Sequence, residues 1–87
     1  MIEATKDWKH HLVEQYYEEI EDAHEYLKLA EEAEDDHCYI TANGLEMIAH
    51  EEMTHARFLR DKLEEWDIPH GAKEAEWEKL ERHFGYR

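Results

Sequence analysis

Leu45-Glu46-Met47-Ile48-Ala49-His50-Glu51-Glu52-Met53-Thr54-His55-Ala56-Arg57-Phe58-Leu59 places apolar side chains at 45, 48 and 59 and, in the same alternation of three and four, a glutamate at 52 and a histidine at 55. That alternation is the period of an α-helix lying against a core, and Leu63 continues it. Glu52 and His55 therefore occupy inward positions of a stripe that is otherwise apolar. An inward carboxylate without a partner is strongly unfavourable, and a divalent cation is the partner that also accounts for an imidazole one turn away.

Working outward, Gly and Pro are nearly absent before Pro69, and helical periodicity runs over about residues 7–35 and 39–66, on either side of Asp35-Asp36-His37. This pattern predicts a helical hairpin. Thr5 or Asp7 is placed to cap the first helix and Asp35 or Asp36 the second, their side-chain oxygens accepting from the free N–H groups of the first turn. Gly44, inside the second helix, calls for a close helix approach or a local bulge, since glycine there costs about 1 kcal/mol relative to alanine. Asp67-Ile68-Pro69-His70-Gly71 breaks the period, and a shorter helix is expected over about residues 73–84, with Trp77, Leu80 and Phe84 on one side and Gly85 ending it. The expected class is all-α, one domain over residues 1–87: an antiparallel two-helix hairpin at about 7–66 plus the short C-terminal helix.

The first helix carries its own stripe of Leu12, Tyr16, Ala23, Tyr26, Ala30 and Ala33, flanked by Val13, Ile20 and Leu27, and Glu19 interrupts it. Glu18 and Glu21 project to either side of that face. Folding back around a turn centred between residues 35 and 36 sets opposite each other positions whose numbers add to about 71, as 19 and 52 do. The same register sets Tyr16 opposite His55 and Tyr26 opposite Leu45. Two inward carboxylates and one imidazole thus meet at one level of the hairpin.

Three ligands on two helices make an incomplete site beside an apolar stripe that faces nothing. A twofold dimer remedies both, forming a four-helix bundle with Glu19, Glu52 and His55 from each chain. Four carboxylates then balance two divalent metals, and carboxylates can bridge them. The alternative for the same three residues is a hydrogen-bonded network at a helix interface. Glu21-Asp22-Ala23-His24 repeats the spacing, but Glu21 leaves the stripe and His24 only borders it. Tyr16, Tyr26 and Tyr39 read as core or interface aromatics, with a hydrogen bond to a ligand the alternative for Tyr26, a turn or two from Glu19. His10, His11, His37, His50, His70 and His83 read as surface, Cys38 as a small half-buried residue, and Trp8, Trp66 and Trp77 as packing or oligomer contacts.

Composition narrows the function classes. A chain of 87 residues builds only a small core of its own, which favours oligomerisation or metal as reinforcement. One cysteine excludes an internal disulfide, and no apolar run approaches a membrane span, so a reducing cytoplasm is the expected compartment. Twenty-four acidic against ten basic residues, a formal charge of -14, argue against nucleic acid or anionic membrane as partner and favour cations.

These residues resemble the ferritin-like superfamily. Glu19, then Glu25-Tyr26-Leu27-Lys28-Leu29-Ala30-Glu31-Glu32-Ala33, then Glu52-Met53-Thr54-His55-Ala56, look like one half of a rubrerythrin-type di-iron bundle. With a short helix after the hairpin, including Ala72-Lys73-Glu74-Ala75-Glu76-Trp77, the chain is most similar to the encapsulated-ferritin family, whose two-helix protomers complete a di-iron site across a dimer. The resemblance implies that Glu19, Glu52 and His55 are iron ligands and catalytic residues, that Tyr26 is the tyrosine beside the metals, and that Glu18 and Glu21 form an uptake site for incoming cations. It implies a ferroxidase that oxidises Fe(II) to Fe(III) for iron storage or detoxification, two irons per dimer, in a homodimer open to extension into a ring-like oligomer. Zinc or manganese on the same ligands would instead give a structural, non-catalytic dimer. An encapsulin shell is the enclosing partner the family implies, but no targeting tail is recognisable after Arg87, and the family's tryptophan at the uptake site is Glu25 here. Absence of Cys-x-x-Cys pairs argues against a rubredoxin-type iron and complete rubrerythrin-like peroxide reduction.

Overall fold

A computed structural model describes the backbone of residues 2–85 and side chains from Trp8 onward. Its helices are α1 (Ile2–Asp35), α2 (Tyr39–Glu65) and α3 (Glu74–Phe84), with a 3₁₀ turn at Gly71–Lys73 leading into α3. No strand occurs among the described residues, and no helix is long and apolar enough to cross a membrane. Contacts between Trp8 and Trp66, Tyr16 and Arg60, and Glu19 and His55 pair early with late positions, so α1 and α2 run antiparallel as expected.

Both long helices stop by the same device. His37 takes φ 65° and Asp67 φ 56°, the left-handed conformation that reverses the chain at a helix end. At the first stop His37 N–H donates to Glu34 and Cys38 N–H to Ala33, each at 2.9 Å; at the second Asp67 N–H donates to Glu64 at 3.2 Å and Ile68 N–H to Leu63 at 2.8 Å. These paired bonds satisfy carbonyls that a helix end otherwise leaves free. Gly85, at φ 80°, ends α3 as its position suggested. The second helix is not capped by Asp35 or Asp36: Cys38 holds the N-cap position and makes no side-chain cap bond, because the reversal at His37 consumes both aspartates in the end of α1 and the turn. The expected caps Thr5 and Asp7 fall on side chains outside the described residues, and α1 already begins at Ile2.

The core joins Tyr16, Ile20 and Ala23 of α1, Met53, Ala56, Leu59 and Leu63 of α2, and Trp77 and Leu80 of α3. On α2 the expected Leu59 and Leu63 are buried, but before them the buried line is Ala49, Met53 and Ala56, one residue round from the expected 48, 52 and 55. The reason is α3. It folds back against one side of the hairpin, so the centre of burial rotates about 100° toward it, and Glu52 and His55 are left at the opposite seam. Ala23 of α1 and Ala49 and Ala56 of α2 are fully buried along this line.

An isolated helix of 11 residues is marginal in water, so α3 depends on docking. Burying Leu80 contributes on the order of 2 kcal/mol, and polar tethers fix the geometry. Arg60 forks onto Glu74 with two bonds of 2.9 Å, donates to the Tyr16 hydroxyl at 2.7 Å and lies over the Trp77 ring. Lys73 meets Glu21 at 2.6 Å, His24 donates to the Glu76 carbonyl at 2.9 Å, and His83 meets Glu46 at 2.7 Å. Tyr16 therefore serves α3 rather than standing opposite His55. His70 is mostly enclosed, donating to the Ile68 carbonyl at 2.7 Å and standing edge-on to Tyr16, and His50 is half-buried against Phe84, so neither is the surface residue expected. Cys38 is exposed rather than half-buried. A side chain at Gly44 would meet nothing within 4 Å, so no close approach within this chain explains that glycine.

Candidate metal centre

The side of the hairpin that α3 leaves uncovered carries the three residues singled out above. Glu19 sits next to the buried Ile20 and so lies at the edge of the α1–α2 seam; Glu52 precedes buried Met53 and His55 precedes buried Ala56, at the facing edge. One turn of helix separates Glu52 from His55, so both reach the same level as Glu19. His55 Nδ1 lies 3.6 Å from Glu19 Oε1 and 3.5 Å from Glu52 Oε1. One donor atom from each residue falls within 4.8 Å of the others, which is the grouping a single cation needs.

Their environments differ. The Glu19 side chain is 14% exposed, Glu52 22% and His55 61%. The carboxylates are thus largely withdrawn from water while the imidazole stands at the rim. Distances of 3.5–3.6 Å are longer than a good N–H···O bond, and Glu19 Oε1 is buried with no hydrogen-bond partner. The one internal remedy is a proton shared with the neighbouring carboxyl. Glu52 is accordingly pushed up to about 7, first by the hydrogen bond its protonated form can give Glu19, then by burial and by the Glu19 charge; Asp22 raises it further and His55 opposes. A divalent cation held by these two carboxylates and the imidazole would displace the proton on Glu52.

The structure brings Glu19, Glu52 and His55 together and treats the other candidates differently. Glu18 is exposed, and Glu21 points toward α3, where its pairing with Lys73 holds that ammonium above its ordinary range. Tyr26 is half-buried, two turns from Glu19 and on the same side of α1. The acidic residue one turn beyond Glu19 that acts on the site is Asp22, through its charge on Glu52. Gln15, one turn before Glu19, donates to Glu19 Oε2 at 3.0 Å. Sequence reasoning passed over both. Their spacing of three and four from Glu19 was the available signal.

Apolar side chains flank the site. By helical spacing Trp8 shares the face of Glu19, and Ile48 and Trp66 that of Glu52 and His55; all three are exposed, and the two indoles meet edge to face with centroids 5.1 Å apart.

Comparison with family models, curated proteins and solved structures finds no match to this chain. The donor set must therefore speak for itself. Carboxylate and imidazole suit Fe(II), Mn(II) and Zn(II), and the chain's three donors leave coordination positions open for a substrate or a second chain. The orphaned Glu19 oxygen fits such an ion: it is acceptor-only, already dehydrated, and aimed at the two other donors.

Proposed function

We propose that this chain is half of a di-iron ferroxidase: two copies pair through their uncovered faces into a four-helix bundle, and Fe(II) bound among Glu19, Glu52 and His55 of both chains is oxidised to Fe(III). The observation that carries the reading is the buried, unpartnered Glu19 Oε1 facing Glu52 and His55 on a face lined by exposed Trp8, Ile48 and Trp66. Pairing answers both deficits, burying the apolar rim and doubling the ligand set to four carboxylates and two imidazoles. Four negative charges match two Fe(II) ions, so the enclosed cluster is neutral.

Iron supplies the electrons: two Fe(II) each give one to dioxygen or peroxide, the reduced oxygen species taking up protons as it leaves. The protein supplies place and charge. Glu19 and Glu52 hold the ions and stabilise the trivalent product, His55 gives a nitrogen donor at the rim, and Glu52 gives up its proton as Fe(II) arrives. Covering by a second copy keeps bulk water from the pair, which strengthens each charge interaction. A hairpin of this size has no cavity for mineral, so storage requires a larger assembly or an enclosing shell.

A second reading follows from the same exposed rim: Zn(II) or Mn(II) on these ligands fastens two chains without turnover. Adding Fe(II) and oxygen to the metal-free protein and following ferric absorbance separates the two. The ferroxidase reading expects oxidation at least tenfold faster than with Glu52→Ala; equal rates would sink it, and a metal-dependent dimer with equal rates would establish the structural reading in its place.

A further inference from the structure

The two oxygens of Glu19 meet different surroundings. Oε2 accepts from Gln15 Nε2 at 3.0 Å, whereas Oε1 is buried without a donor, 3.6 Å from His55 Nδ1. A carboxylate only accepts, so the amide nitrogen of Gln15 must be the atom facing it. Gln15 is exposed and belongs to no part of the core. On a bare helix surface a pair spaced by four residues contributes only a few tenths of a kcal/mol. Here the bond also decides which oxygen turns inward.

We propose that Gln15 is a positioning residue for the metal centre: by holding Glu19 Oε2 it makes Glu19 offer Oε1 alone to a cation shared with Glu52 and His55, and prevents chelation through both oxygens. This inference rests on the metal reading given above. With Oε2 engaged, Glu19 fills one coordination position rather than two, and the vacated position stays open to an incoming molecule. Without the amide the carboxylate is free to rotate and close on the ion with both oxygens. Hydrogen-bond partners of metal ligands typically influence affinity by roughly 10–100-fold.

The test titrates the full-length, metal-free protein with Co(II), reading the visible ligand-field bands and the affinity by competition with a chromophoric chelator. Variants are Gln15→Met, which keeps length but removes the donor, and Glu19→Ala. Expected are loss of Co(II) binding in Glu19→Ala and, in Gln15→Met, bands that lose intensity as coordination number rises, with an affinity altered by roughly tenfold or more. Thermal unfolding of metal-free Gln15→Met should match the parent, which separates positioning from folding. If Gln15→Met gives the parent's affinity and spectrum while Glu19→Ala does not bind, the positioning role is overturned and the metal reading stands. An altered affinity with an unaltered spectrum also overturns it, since the ligand geometry would not have changed. Parent-like binding by Glu19→Ala would overturn the metal reading together with this inference.

Discussion

The two sides of the hairpin solve the same problem in opposite ways. On the side covered by α3, charged groups are balanced within the chain: Arg60 against Glu74 and Glu64, Lys73 against Glu21. Burial alone would depress the Arg60 guanidinium, yet its bonds to Glu74 and Tyr16 hold it above its ordinary range, and Arg60 in turn holds Glu74 below the usual carboxylate range. Burial pushes the Tyr16 hydroxyl up to about 12, so it stays a neutral acceptor. On the uncovered side two carboxylates lean on one another, and one oxygen has no partner. The difference is that charges on one side are balanced within the chain, whereas on the other a buried carboxylate oxygen is left without a partner.

Breaking the covered side should have the largest effect. Trp77, 2% exposed, is the largest side chain beneath Arg60, and Trp77→Ala should cost about 3–5 kcal/mol in urea unfolding of the metal-free protein. If the two sides are independent, metal affinity measured under conditions where the variant is folded stays within about twofold of the parent, since distant sites couple weakly. A parallel collapse of metal affinity would show that α3 sets the geometry of the far side.

Acidity separates the sides next. Glu74 has a lowered pKa, so its contribution is present above the unfolded value and lost as pH falls through the folded one. Glu52 has a raised pKa, so in metal-free protein its contribution is present below the unfolded value and lost as pH rises through about 7. Metal-free protein should therefore melt several degrees lower at pH 8 than at pH 5.5, a loss on the order of 1 kcal/mol. Glu52→Gln, which stays neutral and keeps a donor for Glu19, should flatten that slope. Metal should reverse it, because binding displaces the shared proton and tightens with rising pH. A slope that survives Glu52→Gln would assign it to other groups.

The smallest effect belongs to a feature both sides share. His37 holds φ 65° at the hairpin turn, where a side chain is strained and glycine is not. His37→Gly should raise stability by less than about 1 kcal/mol, the relief of strain being partly offset by the greater freedom of glycine in the unfolded chain. Metal affinity should be unchanged.

Much of this was legible in the residues. Long uninterrupted periodicity, the Asp35-Asp36-His37 break and the Trp77, Leu80, Phe84 spacing are local signals, and each became a helix or a turn where the pattern placed it. The antiparallel pairing was legible too, though not its level: Tyr16 meets Arg60 rather than His55, and Trp8 meets Trp66. Rotation of the helices about their own axes was not. It depends on the side from which α3 arrives, and that is decided by Arg60, Glu74 and Trp77, residues far apart in sequence whose partnership no periodicity reveals. Gln15 and Asp22 escaped notice for a related reason: on a helix so rich in acids, a polar residue on the site side looks the same as one on the solvent side until the rotation is known. His50 and His70 looked like surface residues because their enclosure comes from Phe84 and Tyr16, across the fold.

The three tryptophans divide between the two sides, with Trp77 sealed on the inner face of α3 and the Trp8–Trp66 pair half-open beside Lys9. The protein thus carries its own optical gauge. A quencher dissolved in the buffer should reach the indole pair and spare Trp77, and a molecule settling over the pair would shift their emission to the blue while leaving the sealed chromophore's signal in place.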